Sequence, residues 1–361
     1  MRIAYVINSL EGGGAQFPVP AVTGIFRDAG HEVAVFALAR KDGRAEAPIK
    51  AAGLEVFTCE AGLHDHIGAW RWLERALRDW EATHLWTSLS RATLLGQQAG
   101  RRLRLPVASW QHSAWLKPAN RMLLRASRHL SAFWIADSQF VREKTQAALK
   151  IPADRFEIWP IFQARTDAPS ARQWQIGETV RIGSVGRLTE AKGYRDLIAA
   201  LSLLEQRSDL PPWEMVIAGE GPLRHVLEQQ ISKAAVKHIS MPGFDTDPPG
   251  FLARQHLYVQ SSRWEGFCVA AHEAMQAGLP LVGTEVGEMG RSLKDSKGGW
   301  LSPAASPRDL AEALAEALKA PERLYETGRR NRNFVYERFS QDAFREQGLR
   351  LVCRLEQSRP N

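Results

Sequence analysis

Cysteine is scarce: the 361 residues hold three, Cys59, Cys268 and Cys353, far apart in the chain. That excludes a disulfide framework and leaves no Cys/His spacing of the kind that holds zinc, so a reducing cytoplasm is the expected compartment. Long apolar runs are also missing. No uncharged stretch is long enough to cross a bilayer, and the uncharged segment 105–116 is interrupted by Pro, Ser, Gln and His. The apolar part of MRIAYVINSLEGGG is too short for a signal peptide. A third absence is local: residues 101–128 contain no acidic side chain. What remains is an ordinary globular composition, 44% hydrophobic and 24% charged, at 40.3 kDa. That size suits two domains.

The net charge of +7 traces to one place. Residues 101–150 carry ten basic side chains and two acidic ones, so the rest of the chain is close to neutral. Arg121, Arg125 and Arg128 are spaced to share one face of a helix over 118–130, with Met122, Leu123, Leu124 and Leu130 beside them. The pattern fits a solvated helix face, and it fits equally a patch against anionic headgroups. Nucleic acid is not expected, because no recognition helix or RNA-binding aromatic signature accompanies the charge.

The apolar pattern predicts two doubly wound α/β units. Residues 2–7 (RIAYVI) form a near-continuous apolar run, as a buried parallel strand does. A glycine loop follows at Gly12-Gly13-Gly14, then a helix over 16–29 closed by Gly30. Further strands are expected at 32–38, 54–57, 84–87, 106–110, 132–136 and 156–160. The polar segment 163–178 reads as a linker. A second alternation begins at 180–185 and continues with helix 192–206, strand 214–218, helix 222–234, strand 257–260, helix 266–277 and strand 280–283. The end of the chain, 306–357, reads as charged and helical. Ligands of open α/β sheets lie outside the carboxyl ends of the strands, so two facing sheets would share a site between them.

Four loops of the second half carry candidate chemistry. In 183–193 a strand ends on Gly186, and Arg187 and Lys192 follow at the mouth of a helix. Backbone amides with two cations suit a diphosphate, although such a loop is also ordinary surface. In 217–223 a strand turns on Gly219 and Gly221, with Pro222 placed to open a helix. In 241–244 Phe244 is a platform for a flat base, or a simple loop residue. The block 261–280 places Glu265 and Glu273 eight positions apart, about 12 Å along a helix. That spacing suits two ends of an extended ligand and not a close catalytic pair. Glu265 also reads as a helix cap.

Taken in order, these loops resemble glycosyltransferase family 4, a retaining group with the GT-B fold. Its E-x7-E block appears as EGFCVAAHEAMQAGLPLV, its GRLxxxKG loop as Gly186 to Gly193, and its GxGP turn as Gly219 to Pro222. The resemblance implies two Rossmann-like domains facing across a cleft. The acceptor domain would be 1–170, with a helix at about 340–361 packing back on it, and the nucleotide-sugar domain 176–339. Arg187 and Lys192 would hold the donor diphosphate, Glu273 the ribose and Glu265 the transferred sugar. The Gly266, Phe267 and Cys268 backbone would assist, and Cys268 replaces the glycine usual there.

In the first half, Gly13, Gly14 and Gln16 resemble the family's acceptor loop, and His112 matches its active-site histidine. An N-cap accounts for Asp137-Ser138. A basic helix at 118–130 falls where membrane-associated members carry one, which implies a glycan or glycolipid acceptor and contact with the inner face of the cytoplasmic membrane. The expected function is retaining transfer of a hexose-type sugar from a nucleoside-diphosphate sugar in polysaccharide or lipopolysaccharide assembly. A covalent intermediate would need a carboxylate behind the anomeric carbon. None stands out, and the resemblance implies front-face substitution without a cofactor. A metal is not expected at Asp245-Thr246-Asp247, a triplet in a surface loop. Three other readings exist: a nicotinamide oxidoreductase, poorly served by Phe17 in the glycine loop although Arg40 and Lys41 after the second strand could imitate a 2′-phosphate site; a non-catalytic nucleotide-sugar binder; and a GT-B-type epimerase.

Overall fold

The computed structural model describes residues 1–234 and 236–360. The chain forms two compact units. One comprises Met1–Phe162 together with the chain from Asp342 onward, the other Gln163–Gln341.

The first unit alternates β1 (Arg2–Ile7), α1 (Val19–Asp28), β2 (Glu32–Ala37), α2 (Glu46–Ala51), β3 (Glu55–Thr58), α3 (His66–Asp79), β4 (His84–Ser88), α4 (Ser90–Leu103), β5 (Val107–Gln111), α5 (Pro118–Ser127), β6 (Phe133–Ala136), α6 (Gln139–Leu149) and β7 (Phe156–Ile158). Its sheet is parallel, in the order β3-β2-β1-β4-β5-β6-β7. The direction of winding therefore reverses between β1 and β4, and the loops after those strands converge there.

The second unit continues with β8 (Val180–Val185), α7 (Tyr194–Leu204), β9 (Trp213–Ala218), α8 (Arg224–Ala234), β10 (Ile239–Gly243), α9 (Pro248–Ala253), β11 (Leu257–Gln260), α10 (Val269–Gln276), β12 (Leu281–Thr284), α11 (Gly287–Ser296), β13 (Gly299–Ser302), α12 (Pro307–Leu318) and α13 (Leu324–Arg338). The order here is β10-β9-β8-β11-β12-β13, again parallel, with the reversal between β8 and β11. The closing helix α14 (Gln341–Glu356) packs on the first unit.

Aromatic burial explains that return. Trp86, Trp110 and Trp159 are fully buried, and Trp110 stacks on Trp159 with ring centroids 4.9 Å apart. Phe344 of α14 also packs on Trp159, with centroids 4.9 Å apart, and the Trp159 indole N–H donates to the Phe344 carbonyl at 3.0 Å. Such ring pairs add about 0.5–1.5 kcal/mol each beyond their buried area. Gly348 lets α14 approach closely, since a Cβ there would lie 2.6 Å from the Trp159 ring.

Three expectations change. The segment 163–178 is not a free linker: the Ala171 N–H donates to the Ala277 carbonyl at 2.7 Å, and Trp174 packs on the core of the second unit. Helix α1 begins at Val19 and not at residue 16, because residues 13–17 form a turn and Pro18 precedes the first helical position. Strands β10 and β13 went unread. They are edge strands, where Pro242 and paired glycines are tolerated and blur the apolar pattern. Among the described residues, no helix is long and apolar enough to cross a membrane.

Candidate functional site

In the second unit the strand-end loops after β8 and β9 are packed backbone on backbone. The Leu188 N–H donates to the Glu220 carbonyl at 2.9 Å, and the Leu223 N–H returns to the Leu188 carbonyl at 3.1 Å. This contact requires glycine. A Cβ on Gly219 would sit 1.9 Å from the Gly186 carbonyl oxygen, and one on Gly221 would sit 2.5 Å from that of Leu188. Gly186 itself lies against the Tyr194 hydroxyl. These glycines therefore have a packing role, and the loops they join carry Arg187 to the surface.

Lys192 has a sharper setting. It closes a single turn of 3-10 helix, and Gly193 follows at φ 64° to start α7. The Lys192 ammonium donates to Glu265 Oε1 at 2.6 Å. The Ser262 hydroxyl donates to the same oxygen at 2.7 Å. Behind Ser262 runs a buried chain: Gln260 Nε2 donates to Ser262 Oγ at 2.8 Å, and the Tyr258 hydroxyl donates to Gln260 Oε1 at 2.9 Å. Burial pulls the Lys192 ammonium down, but the Glu265 carboxylate outweighs it and holds it above its ordinary value. Arg263 is clamped to Asp196 by two hydrogen bonds of 2.7 and 2.9 Å, which fixes the loop to α7. Ser262 and Gln260 went unread in the sequence, and only their nearness to Glu265 hinted at them.

Glu265 does not share a helix with Glu273. Helix α10 starts at Val269, so Glu265 lies in the preceding loop and the straight-helix estimate of their separation does not apply. Glu273 is partly accessible, and burial raises its carboxyl above the ordinary range. Its carboxylate has no ionic or hydrogen-bonding partner among the described residues. The Phe267 side chain is core, stacked on His272 with centroids 4.1 Å apart and against Phe339, which leaves its ring unavailable to a ligand. Gly266 is covered from α11: its carbonyl accepts the Glu288 N–H at 2.9 Å. Phe244 is 43% exposed just beyond β10, which makes 241–243 strand and not loop.

The first unit gathers a different set at its sheet edge. Gly13 caps a turn, accepting from the Gln16 and Phe17 N–H groups, while Gly14 is exposed and Gln16 buried. His112 closes β5 with both ring nitrogens engaged: Nδ1 lies 2.8 and 3.0 Å from the two Asp137 oxygens, and Nε2 lies 2.6 Å from Ser88 Oγ. Asp137 is buried. Burial lifts its carboxyl above the usual range, with His112 opposing. Of the pair read as a cap, only Ser138 caps, accepting the Val141 N–H at 3.1 Å. Asp137 instead orients His112. Ser88 and Asp137 were not readable as partners, because three separate strands bring them together.

The basic patch is shorter than its spacing suggested. Helix α5 ends at Ser127, and Arg128 belongs to the 3-10 turn after it, donating to the Arg125 carbonyl. Arg121 and Arg125 are exposed, with Trp115 (60%) and Met122 (66%) as exposed apolar neighbours in the same segment. In the 245–247 triplet, Asp247 caps α9 through the Gly250 N–H, and Asp245 accepts the Asp247 N–H. Among the described residues, no group of three His, Cys, Asp or Glu side chains is placed to hold a metal.

Comparison with known proteins bears on this geometry. The family model described as Glycosyl transferases group 1 matches residues 170–334, and the one described as Glycosyltransferase Family 4 matches residues 22–162. Alpha-D-kanosaminyltransferase of Streptomyces kanamyceticus is 25% identical over 227 residues, 61% of this chain and 57% of that protein. The lipopolysaccharide core biosynthesis mannosyltransferase LpsB of Rhizobium meliloti is 33% identical over 114 residues, 29% of this chain and 31% of that protein. The chain thus spans little more than half the length of the first relative and about a third of the second. Among solved structures, Anabaena HepE in complex with UDP-glucose aligns with a TM-score of 0.84 at 19% identity, covering 98% of this chain and 99% of that one. Sucrose-phosphate synthase from Thermosynechococcus elongatus aligns at 0.81 with 17% identity, covering 98% and 99%. Two doubly wound parallel sheets of this order define a GT-B protein. The chain belongs to the family 4 glycosyltransferases, with the group 1 transferase module as its second unit.

Proposed function

We propose that this protein transfers a sugar from a nucleoside-diphosphate sugar to a hydroxyl acceptor, with retention at the anomeric carbon. The observation that carries the reading is the pairing of an anchored cation with an unpartnered carboxylate on one block: Lys192 held at Glu265, and Glu273 with no partner of its own. A half-buried, unpaired carboxylate is unfavourable in the empty protein and is relieved by hydroxyls that donate to it. A ribose supplies two. In this reading Glu273 takes the ribose and Glu265 the sugar. Arg187 and Lys192 face the diphosphate and stabilise the negative charge that grows on it as the sugar leaves. The departing phosphate accepts the acceptor's proton. His112, held between Asp137 and Ser88, is the histidine this reading places beside the reacting groups. Relatives and neighbours named for UDP, UDP-glucose and lipopolysaccharide core synthesis support a nucleotide-sugar donor and a glycan or glycolipid acceptor.

The test is a panel of uridine-, guanosine- and adenosine-diphosphate sugars measured by thermal shift. A true donor at 100 times its dissociation constant adds about 2.7 kcal/mol of stability. No stabilisation by any member overturns the reading.

The acceptor's setting adds a second expectation. Arg121 and Arg125, with Trp115 and Met122, form a basic and apolar surface suited to anionic headgroups. Arg121→Glu with Arg125→Glu is expected to weaken binding to phosphatidylglycerol vesicles by at least tenfold, at about 1 kcal/mol per charge. Sedimentation with those vesicles and with neutral phosphatidylcholine ones measures it, and equal binding of both proteins to both would remove the membrane from the account.

A further inference from the structure

The Lys192–Glu265 pair has a second support that an ion pair alone does not need. Ser262 and Lys192 donate to the same Glu265 oxygen, Oε1. A carboxylate only accepts, and a hydroxyl has one proton, so the Ser262 proton is committed to Glu265. Ser262 Oγ is then left to accept, from Gln260 Nε2 at 2.8 Å. That turns Gln260 Oε1 toward the Tyr258 hydroxyl at 2.9 Å, where two acceptors would repel, so Tyr258 donates. The Tyr258 oxygen accepts the Val185 N–H at 3.3 Å. Val185 ends β8, immediately before Gly186 and Arg187. Each donor thus has its direction set by the next, in a file that runs from the root of the Arg187 loop to Glu265. Tyr258, Gln260 and Ser262 occupy alternate positions of β11 and its exit and are fully buried, whereas the Glu265 side chain at the end of the file is 11% exposed. The Lys192 main chain is fixed as well, its carbonyl accepting from the Ser261 hydroxyl at 2.9 Å.

Charge compensation does not account for the file, because Lys192 supplies it at 2.6 Å. Apolar side chains would fill the same buried positions without three polar groups to satisfy. What the file adds is direction. With Oε1 gripped from two sides, the carboxylate is stopped from turning about its terminal bond, and its second oxygen, Oε2, points one way. We infer that Ser262, Gln260 and Tyr258 are positioning residues that aim Glu265 Oε2 at one hydroxyl of the transferred sugar, so that the protein requires a hydrogen-bond donor at that ring position. The inference rests on the reading of Glu265 as the sugar-binding carboxylate. A site built to bind a hydroxyl rejects the analogue lacking it far more sharply than an apolar pocket rejects a change of size.

The experiment is calorimetry with the preferred donor, its bare nucleoside diphosphate, and analogues of the donor lacking one sugar hydroxyl at a time. The parent is expected to bind one of the deoxy donors about tenfold or more weakly, the worth of one hydrogen bond to a charged group. Ser262→Ala is expected to hold the bare diphosphate within about threefold of the parent, to lose about tenfold or more for the full donor, and to stop distinguishing it from that deoxy donor. Tyr258→Phe keeps the ring and the Lys192–Glu265 pair. It is expected to show the same pattern at smaller size, and it decides alone if Ser262→Ala does not fold. A deoxy penalty unchanged in these variants overturns the inference. So does an equal loss for bare diphosphate and full donor, which marks the file as purely structural. A parent that binds its donor but is indifferent to every deoxy position overturns the assignment of Glu265 to the sugar, and the inference with it. A parent that binds no sugar nucleotide overturns the functional reading itself.

Discussion

Glu273→Ala is expected to abolish stabilisation by a sugar nucleotide while leaving the empty protein as stable as the parent or more so. The two halves of that outcome have one cause. Glu273 sits on α10 without a partner, and burial raises its carboxyl. A carboxyl whose folded value lies above its unfolded value of 4.5 contributes fully below that value and loses its contribution as pH rises through the folded one. At neutral pH the ionised group is thus a burden on the empty fold, and removing it relieves the burden. With donor present the group has hydroxyls to accept, and its loss removes about 1.5–3 kcal/mol of charge-assisted hydrogen bonding. Thermal melts of parent and variant at pH 5 and pH 8, with and without donor, read both effects. The empty variant should gain over the parent at pH 8 and match it more closely at pH 5. A variant that binds donor like the parent would remove Glu273 from the pocket, and one less stable at pH 8 would show that its carboxylate is satisfied.

How much of this was legible follows from the length scale of each signal. The alternation of apolar strands and helices is local, and it gave β11 at its observed limits, Leu257–Gln260, and most other strands to within two residues. Of the four edge strands, β3 and β7 were read, whereas β10 and β13 were lost because an edge tolerates Pro242 and the pair Gly298-Gly299, which break the apolar pattern. The candidate residues themselves were legible through their block spacing, but their partners were not. Lys192 meets Glu265 across 73 positions, and His112 meets Ser88 and Asp137 across 24 and 25. Nothing in a local pattern encodes those distances. Gly219 and Gly221 read as a tight strand-to-helix turn, and the geometry adds the steric reason for them in the carbonyls of Gly186 and Leu188. The segment 163–178 misled by its polarity, since much of its anchoring runs through its backbone, at Ala164, Arg165 and Ala171, with Trp174 packed on the core.

Lys192→Ala is expected to do more damage than Glu273→Ala, because it removes a charge that the empty protein already uses. Among the described residues Glu265 would then keep the Ser262 hydroxyl as its one hydrogen-bonding partner, in a site where its side chain is 11% exposed. Stripping one member from a buried pair costs about 3–5 kcal/mol, most of it the penalty on the charge left behind. The Lys192 side chain is 20% exposed, so the lower end of that range applies. Equilibrium unfolding in urea should show a loss of about 3 kcal/mol for Lys192→Ala, together with loss of donor binding. The double variant Lys192→Met with Glu265→Gln separates the two roles. It leaves no unpaired charge, so its stability should return to within about 1 kcal/mol of the parent. Donor binding should not return, because the cation that faces the diphosphate is still absent. Recovery of both would make the pair a structural strut, and recovery of neither would mean that the Tyr258–Gln260–Ser262 chain depends on the charge it supports.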